Sequence, residues 1–134
     1  MKARIVKGPY NPGMNPFAAQ PSIRFDADRK LGDAGGDYEF NVKLYNVACS
    51  ATEREWSADV ETARDEFEQV MRRRYPWLTG FHFTGRSAGW LVIRDPEGKM
   101  TMRRLLAIGK AVEKAVEQFK RDMMQCYPRK AASQ

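Results

Sequence analysis

The sequence lacks most of the residues from which catalytic and metal sites are built. Among its 134 residues there is one histidine, His82, and there are two cysteines, Cys49 and Cys126. One histidine and two distant cysteines do not make a zinc site, and no serine or cysteine stands in a recognisable nucleophile motif. We therefore expect no metal, no cofactor and no enzymatic activity. An enzyme would need His82 or a carboxylate in a deep pocket, and no motif places one there.

Long apolar runs are also missing. No stretch of 18 apolar residues occurs, so the sequence predicts no membrane-spanning helix. The first residues lack the apolar stretch of a signal peptide, and two isolated cysteines suit a reducing compartment, so we expect a cytoplasmic protein.

The length, with 43% hydrophobic and 30% charged residues, predicts one globular domain over residues 1–134. Within it, residues 8–21 are rich in proline and glycine and predict an extended arm or an irregular loop.

The strongest pattern lies near the end of the chain. Between Thr101 and Cys126, apolar residues recur with the period of a helix, which predicts one amphipathic helix. Its apolar face contains Leu105, Ile108, Gly109, Val112, Ala115, Val116, Phe119, Met123 and Cys126. On the opposite side, four cations form what we call the basic stripe: Arg103, Lys110, Lys114 and Arg121.

The net charge of the chain is concentrated in the same region. Residues 1–56 carry a net charge of +1, residues 57–98 carry −1, and residues 99–134 carry +6, which equals the charge of the whole chain. Arg129 and Lys130, in a basic tail over residues 127–134, add to this surface. One interpretation of the stripe is an ordinary solvated helix face. The other is a docking surface for phosphates or for an acidic protein.

The rest of the chain predicts a sheet and a second helix. Alternating or strand-forming residues indicate strands at Tyr38–Val47, Gly80–Thr84 and Trp90–Arg94, with short additional strands at Ala3–Val6 and Ser22–Phe25. Both helices have one apolar face. The predicted fold class is therefore α+β, with a small antiparallel sheet of three to five strands and two amphipathic helices on one face.

The second helix is predicted to begin after Ser57 as its N-cap and to end before Pro76. Its apolar face contains Trp56, Val60, Ala63, Phe67, Val70 and Met71. Asp59 and Glu61 lie in the first turn and three arginines, Arg72–Arg74, lie in the last. Because cations are favoured at a helix C-terminus, we interpret these arginines as structural rather than as a nucleic-acid patch.

The bend Gly85–Gly89 joins two predicted strands and carries Arg86 at its tip. Two glycines around Arg86 can expose backbone N–H groups as an anion-binding nest, and the guanidinium would add bidentate contacts. A five-residue bend with two glycines is equally typical of an ordinary hairpin loop. Arg86 is therefore a candidate binding residue, expected to be exposed.

The segment from Tyr75 to Val92 resembles a segment of small uncharacterised bacteriophage proteins. The resemblance covers 18 residues and includes Tyr75-Pro76-Trp77-Leu78 and the hairpin Gly85-Arg86-Ser87-Ala88-Gly89-Trp90. In those proteins the hairpin is of the Gly-Arg-Ser-Gly-Gly-Trp type, so Ala88 stands where they have a glycine. The resemblance implies an origin in a phage or another mobile element and assigns no catalytic residue.

Three functional hypotheses follow, in this order. The first is a non-enzymatic phage accessory protein, similar in role to an anti-CRISPR, that binds and inhibits a host defence protein or ribonucleoprotein complex. The second is a protein that binds DNA or RNA phosphates through the C-terminal helix and the basic tail. The third is an enzyme of unknown type. The candidate binding residues for the first two are the same: Arg103, Lys110, Lys114, Arg121, Arg86, Arg129 and Lys130.

Overall fold

The computed structural model describes residues 3–6, 23–26 and 34–129. The elements in chain order are β1 (Ala3–Val6), β2 (Ile23–Asp26), β3 (Gly36–Lys43), α1 (Glu53–Arg74), β4 (Thr79–Phe83), β5 (Ala88–Asp95) and α2 (Met102–Cys126). The predicted arm at residues 8–21 and the tail residue Lys130 lie outside the described residues.

The five strands form one antiparallel sheet in the order β1-β2-β3-β5-β4. β3 and β5 pair along their whole length, from Gly36 opposite Asp95 to Lys43 opposite Ala88. Because β3 and β4 lie on either side of β5 and both run antiparallel to it, they run parallel to each other and need a crossover connection. Helix α1 supplies that connection. The predicted α+β fold with a small antiparallel sheet is confirmed.

Alternation along β3 explains which face of the sheet the helices cover. Tyr38, Phe40 and Val42 are buried, whereas the residues between them are only half-buried. The buried set packs in one cluster with residues of both helices, so α1 and α2 lie on the same side of the sheet. On the other side, Arg24 forms an ion pair with Glu39, and its guanidinium lies 3.9 Å from the ring centre of Trp90.

Helix α1 begins earlier than the sequence pattern suggested. Its N-cap is Thr52 rather than Ser57. The amide of Glu55 donates to the hydroxyl of Thr52 over 3.1 Å, and the amide of Thr52 donates to the carboxylate of Glu55 over 2.8 Å. This reciprocal capping box satisfies two free amides at the helix start, and it outweighs the single cap that Ser57 offers.

The central strands also differ from their predicted bounds. β3 ends at Lys43 rather than Val47, because Asn46 has a φ of 65° and this left-handed conformation cannot continue a strand. β5 begins at Ala88, two residues before the predicted start. The open loop between β4 and β5 is therefore only residues 84–87.

A buried carboxylate shapes the loop that leads into α2. Asp95 has no exposed surface, yet both of its oxygens are hydrogen-bonded. Oδ1 accepts from the amides of Glu97 (3.2 Å) and Gly98 (2.9 Å), and Oδ2 accepts from the amide of Met100 (2.7 Å). These bonds satisfy the carboxylate inside the protein and fix the direction in which α2 leaves the sheet. Neither helix of the described residues is long and apolar enough to span a membrane.

Candidate binding surface on α2

Helix α2 is held in the core along most of its length. It begins at the N-cap Thr101, whose hydroxyl accepts from the amide of Arg104 over 3.2 Å, and ends at Cys126, as predicted. Six of its residues are buried: Leu105, Ile108, Gly109, Val112, Phe119 and Met123. Two members of the predicted apolar face, Ala115 and Cys126, are exposed. The rotation of the helix about its axis is therefore fixed by the buried set.

That rotation places the basic stripe in solvent. Arg103, Lys110, Lys114 and Arg121 are all exposed. Within residues 3–6, 23–26 and 34–129, none of the four pairs with an acidic side chain, and Arg121 donates only to the amide oxygen of Gln118 over 3.2 Å. At 1.5 Å per residue, the stripe extends about 27 Å along α2. It is a straight row of cations that form no ion pair with the part of the chain that the structure describes.

Two glutamates lie beside this row. Burial raises the pKa of Glu113, the negative charge of Glu117 raises it further, and the positive charge of Lys110 opposes the shift. The charge of Lys110 therefore acts on the carboxylate of Glu113, although the two side chains form no ion pair. The glutamates border the stripe on one side and reduce its field locally without removing it.

Arg86 lies in a different place from the stripe. Its guanidinium forms an ion pair with Glu53 at the start of α1, and the indole of Trp56 donates to its carbonyl oxygen over 3.1 Å. The side chain is 62% exposed but is directed at α1 rather than standing free at a tip. Sterics account for the two glycines: a Cβ on Gly85 would lie 1.9 Å from the carbonyl oxygen of Ala88, and one on Gly89 would lie 2.7 Å from the amide of Gly85. The loop geometry favours the ordinary hairpin over an anion-binding nest.

The chain after α2 is attached to the start of α1. Pro128 forms a bridge with Cys49, and the amide of Ser50 donates to the carbonyl of Tyr127 over 2.8 Å. The neighbouring carboxylate of Asp59 raises the pKa of Tyr127 to about 12. Arg129 follows these contacts and is exposed. It therefore lies at the C-terminal end of α2, beyond the last cation of the stripe.

The sequence did not reveal a cavity that lies between the two helices and the sheet. It has a volume of about 70 Å³ and is lined almost entirely by apolar side chains. Val60, Ala63 and Phe67 of α1 form its roof, and each is only half-buried. The one charged residue in its wall, Arg64, donates to the carbonyl of Phe81 over 2.9 Å and pairs with Glu68 over 3.0 Å. The small side chain of Ala63 in the middle of the apolar face was the only signal in the sequence.

The other residues that could support catalysis or metal binding do not form a site. His82 is exposed on the side of β4 opposite Phe81, on the sheet face away from the helices. Among the described residues, no three His, Cys, Asp or Glu side chains converge as metal ligands.

No protein-family model, curated protein or solved structure matches the chain. The basic stripe is therefore the best-defined candidate site.

Proposed function

We propose that this protein is a non-enzymatic binding protein whose α2 docks onto a negatively charged partner through the basic stripe. One observation carries the proposal: Lys110, Lys114 and Arg121 are exposed and lack acidic partners within the described part of the chain. The opposite face of α2 supplies the buried contacts of the core, so the stripe contributes little to folding. Charges that the fold does not need are available for recognition.

The partner we propose is a protein or ribonucleoprotein complex of a bacterial defence system, in the cytoplasm of an infected host. The support is the resemblance of residues 75–92 to small bacteriophage proteins, together with the size of the chain and its concentrated charge. The role would be inhibition by occupancy, as in an anti-CRISPR. A positive helix face suits an acidic groove of such a complex and competes there with nucleic acid for the same sites.

Affinity capture from a bacterial host that carries a CRISPR system tests this proposal. The full chain is used as bait, beside a variant with Lys110, Lys114 and Arg121 all changed to Glu. We expect the wild-type chain to recover subunits of the defence complex and the variant to recover none. Capture that recovers no defence component, or recovers the same component equally with both baits, would contradict the proposal.

A second candidate function is direct binding of DNA or RNA phosphates. The observation that favours it is the geometry of the stripe, a row of four cations over about 27 Å, because double-stranded DNA presents one charge per about 1.7 Å of axis. Four phosphate contacts predict that log K falls with log salt with a slope of about −3.6. A gel-shift series between about 50 and 200 mM salt should then show a loss of affinity of about 100-fold. A flat salt response, or no shift at low salt, removes this candidate.

A further inference from the structure

The cavity under α1 opens towards α2. Ala115 of α2 lines the cavity and is exposed, whereas Val112 and Phe119, which also line it, are buried. The apolar space therefore reaches the surface at Ala115. A cavity of this chemistry does not hold water well, because water needs two to four polar partners.

The mouth of the cavity adjoins the basic stripe. Ala115 also borders a shallow depression on the surface of α2, which is lined by the cations Lys114 and Arg121, by Gln118, and by the two glutamates that border the stripe, Glu113 and Glu117. Two of the stripe cations thus lie on one side of Ala115, and the apolar cavity lies on the other. A ligand broad enough to contact both the C-terminal half of the stripe and Ala115, about 100° further around the helix, reaches the apolar opening.

We infer that the partner of the basic stripe is an acidic protein segment that places one aliphatic side chain in the cavity beneath α1. This inference rests on the proposed function and names the chemistry of the partner. Charge complementarity selects acidic residues for Lys114 and Arg121, and the apolar wall selects a hydrocarbon group. Interfaces of this kind obtain most of their affinity from one anchor in a desolvated pocket, with charged contacts around it.

The size of the cavity restricts the anchor. Its volume of about 70 Å³ is roughly half that of the 150 Å³ cavity known to accept a benzene ring. A short aliphatic side chain such as Leu or Val fits this space, and an aromatic ring does not. Nucleic acid offers phosphates and flat bases, so it uses the stripe but leaves the cavity empty. The cavity therefore distinguishes the two candidate partners.

A titration with model peptides tests the inference on the full chain. Two Glu-rich peptides of about 15 residues are compared by calorimetry at about 50 mM salt; they differ only in a central Leu or Ala. We expect the Leu peptide to bind at least about tenfold more tightly, because burying its additional carbon atoms removes apolar surface from water. A single-stranded oligonucleotide of the same charge is the third ligand.

Filling the cavity provides the matched variants. In Ala63→Leu the added side chain occupies the cavity, so we expect the two peptides to bind this variant equally. Ala58→Leu makes the same change at an exposed position of α1 and should keep the preference for the Leu peptide. If Ala63→Leu does not fold, Ala63→Val adds a smaller group at the same position and should reduce the preference.

The outcomes separate this inference from the proposed function. Equal binding of both peptides, lost when Lys110, Lys114 and Arg121 are changed to Glu, overturns the aliphatic anchor and keeps the stripe. Binding of the oligonucleotide alone overturns the acidic protein partner in favour of nucleic acid. No binding of any of the three ligands overturns the inference and the proposed function together.

Discussion

The two helices cover the same sheet face, but they are attached to it in different ways. α2 has 25 residues and six of them are buried, whereas α1 has 22 residues and only Met71 is buried. Val70, within the apolar pattern of α1, is 48% exposed. An amphipathic pattern therefore predicts that a helix packs on a sheet, but not how closely it packs.

Position in the sheet explains the difference. α2 packs on β3, in the middle of the sheet, where side chains from several strands surround it. α1 packs mainly on β4, which is an edge strand, and it bridges the cavity. Its own capping box and the pairs of Arg64 and Arg72 with Glu68 support it locally. α2 depends on the core, and α1 depends more on contacts within itself.

The largest effect should come from truncation of α2. Leu105 has no exposed surface, so Leu105→Ala removes buried contacts and leaves a cavity, at an expected cost of about 2–5 kcal/mol of unfolding free energy. The matched change in α1 is Val70→Ala, expected to stay within about 0.5 kcal/mol. Urea unfolding of both variants measures the difference. Similar losses would show that the helices are anchored equally.

Removing the side chain that stabilises the start of each helix should destabilise the protein more at α2 than at α1. Asp95→Ala leaves three amides of the loop before α2 without their carboxylate, and we expect a loss of about 3 kcal/mol. Thr52→Ala removes the exposed cap of α1 and should cost about 1 kcal/mol. Chemical denaturation again provides the comparison. A Thr52 variant that is as unstable as the Asp95 variant would contradict the assignment of α2 as the better-anchored helix.

Filling the cavity should pack α1 more closely on the core and so reduce the difference in packing between the two helices. Ala63→Leu buries additional carbon atoms beneath α1 and is expected to stabilise the protein by about 0.5–2 kcal/mol. Ala58→Leu, on the exposed side of α1, is the control and should change stability little. The midpoint of thermal unfolding, measured for both variants and for the wild-type chain, checks this prediction. A loss of stability in the Ala63 variant alone would mean that the space cannot accept a side chain.

A smaller, pH-dependent effect should arise where the chain after α2 meets α1. The neighbouring carboxylate of Asp59 raises the pKa of Tyr127 to about 12, above the usual value of about 10. The neutral phenol is favoured in the folded state, so its contribution is complete below about pH 10 and is lost as the pH rises towards 12. Tyr127→Phe should therefore lose less stability than the wild type between about pH 9 and pH 11. Identical declines would exclude this contact as a source of alkaline sensitivity.

Much of the fold could be predicted from the sequence because the relevant signals are local. The period of α2 from Leu105 to Met123 predicted its bounds and its solvent face, and the alternation from Tyr38 to Val42 predicted the buried side of β3. Pro96 and Gly98, which follow Asp95, are typical of a turn, so the turn itself is visible in the sequence. The hydrogen bonds that the two carboxylate oxygens of Asp95 accept could not be predicted, because they depend on where the amide of Met100 lies in three dimensions.

The candidate site could be predicted only in part. The helical period identifies the stripe residues, but the contact of Arg86 with Glu53 joins residues 33 positions apart and has no local signal. The start of α1 was missed although Thr52 and Glu55 have the spacing of a capping box, so that error was avoidable. The cavity depends on how far α1 stands from the sheet, which no sequence period records.

Charge reversal on the two helices tests the central claim, that α2 holds the core with one face and presents an unneeded row of cations with the other. Changing Lys110, Lys114 and Arg121 to Glu, or Arg72, Arg73 and Arg74 to Glu, brings the formal net charge from +6 to zero in both cases. Retention on heparin, a polyanion, is measured with the unfolding midpoint. We predict that the α2 variant elutes at much lower salt, whereas the α1 variant keeps its retention. Both midpoints should fall, because the new glutamates of α2 adjoin Glu113 and Glu117, and because cations are favoured at the C-terminus of α1. Equal retention of the wild-type chain and the α2 variant would contradict the claim.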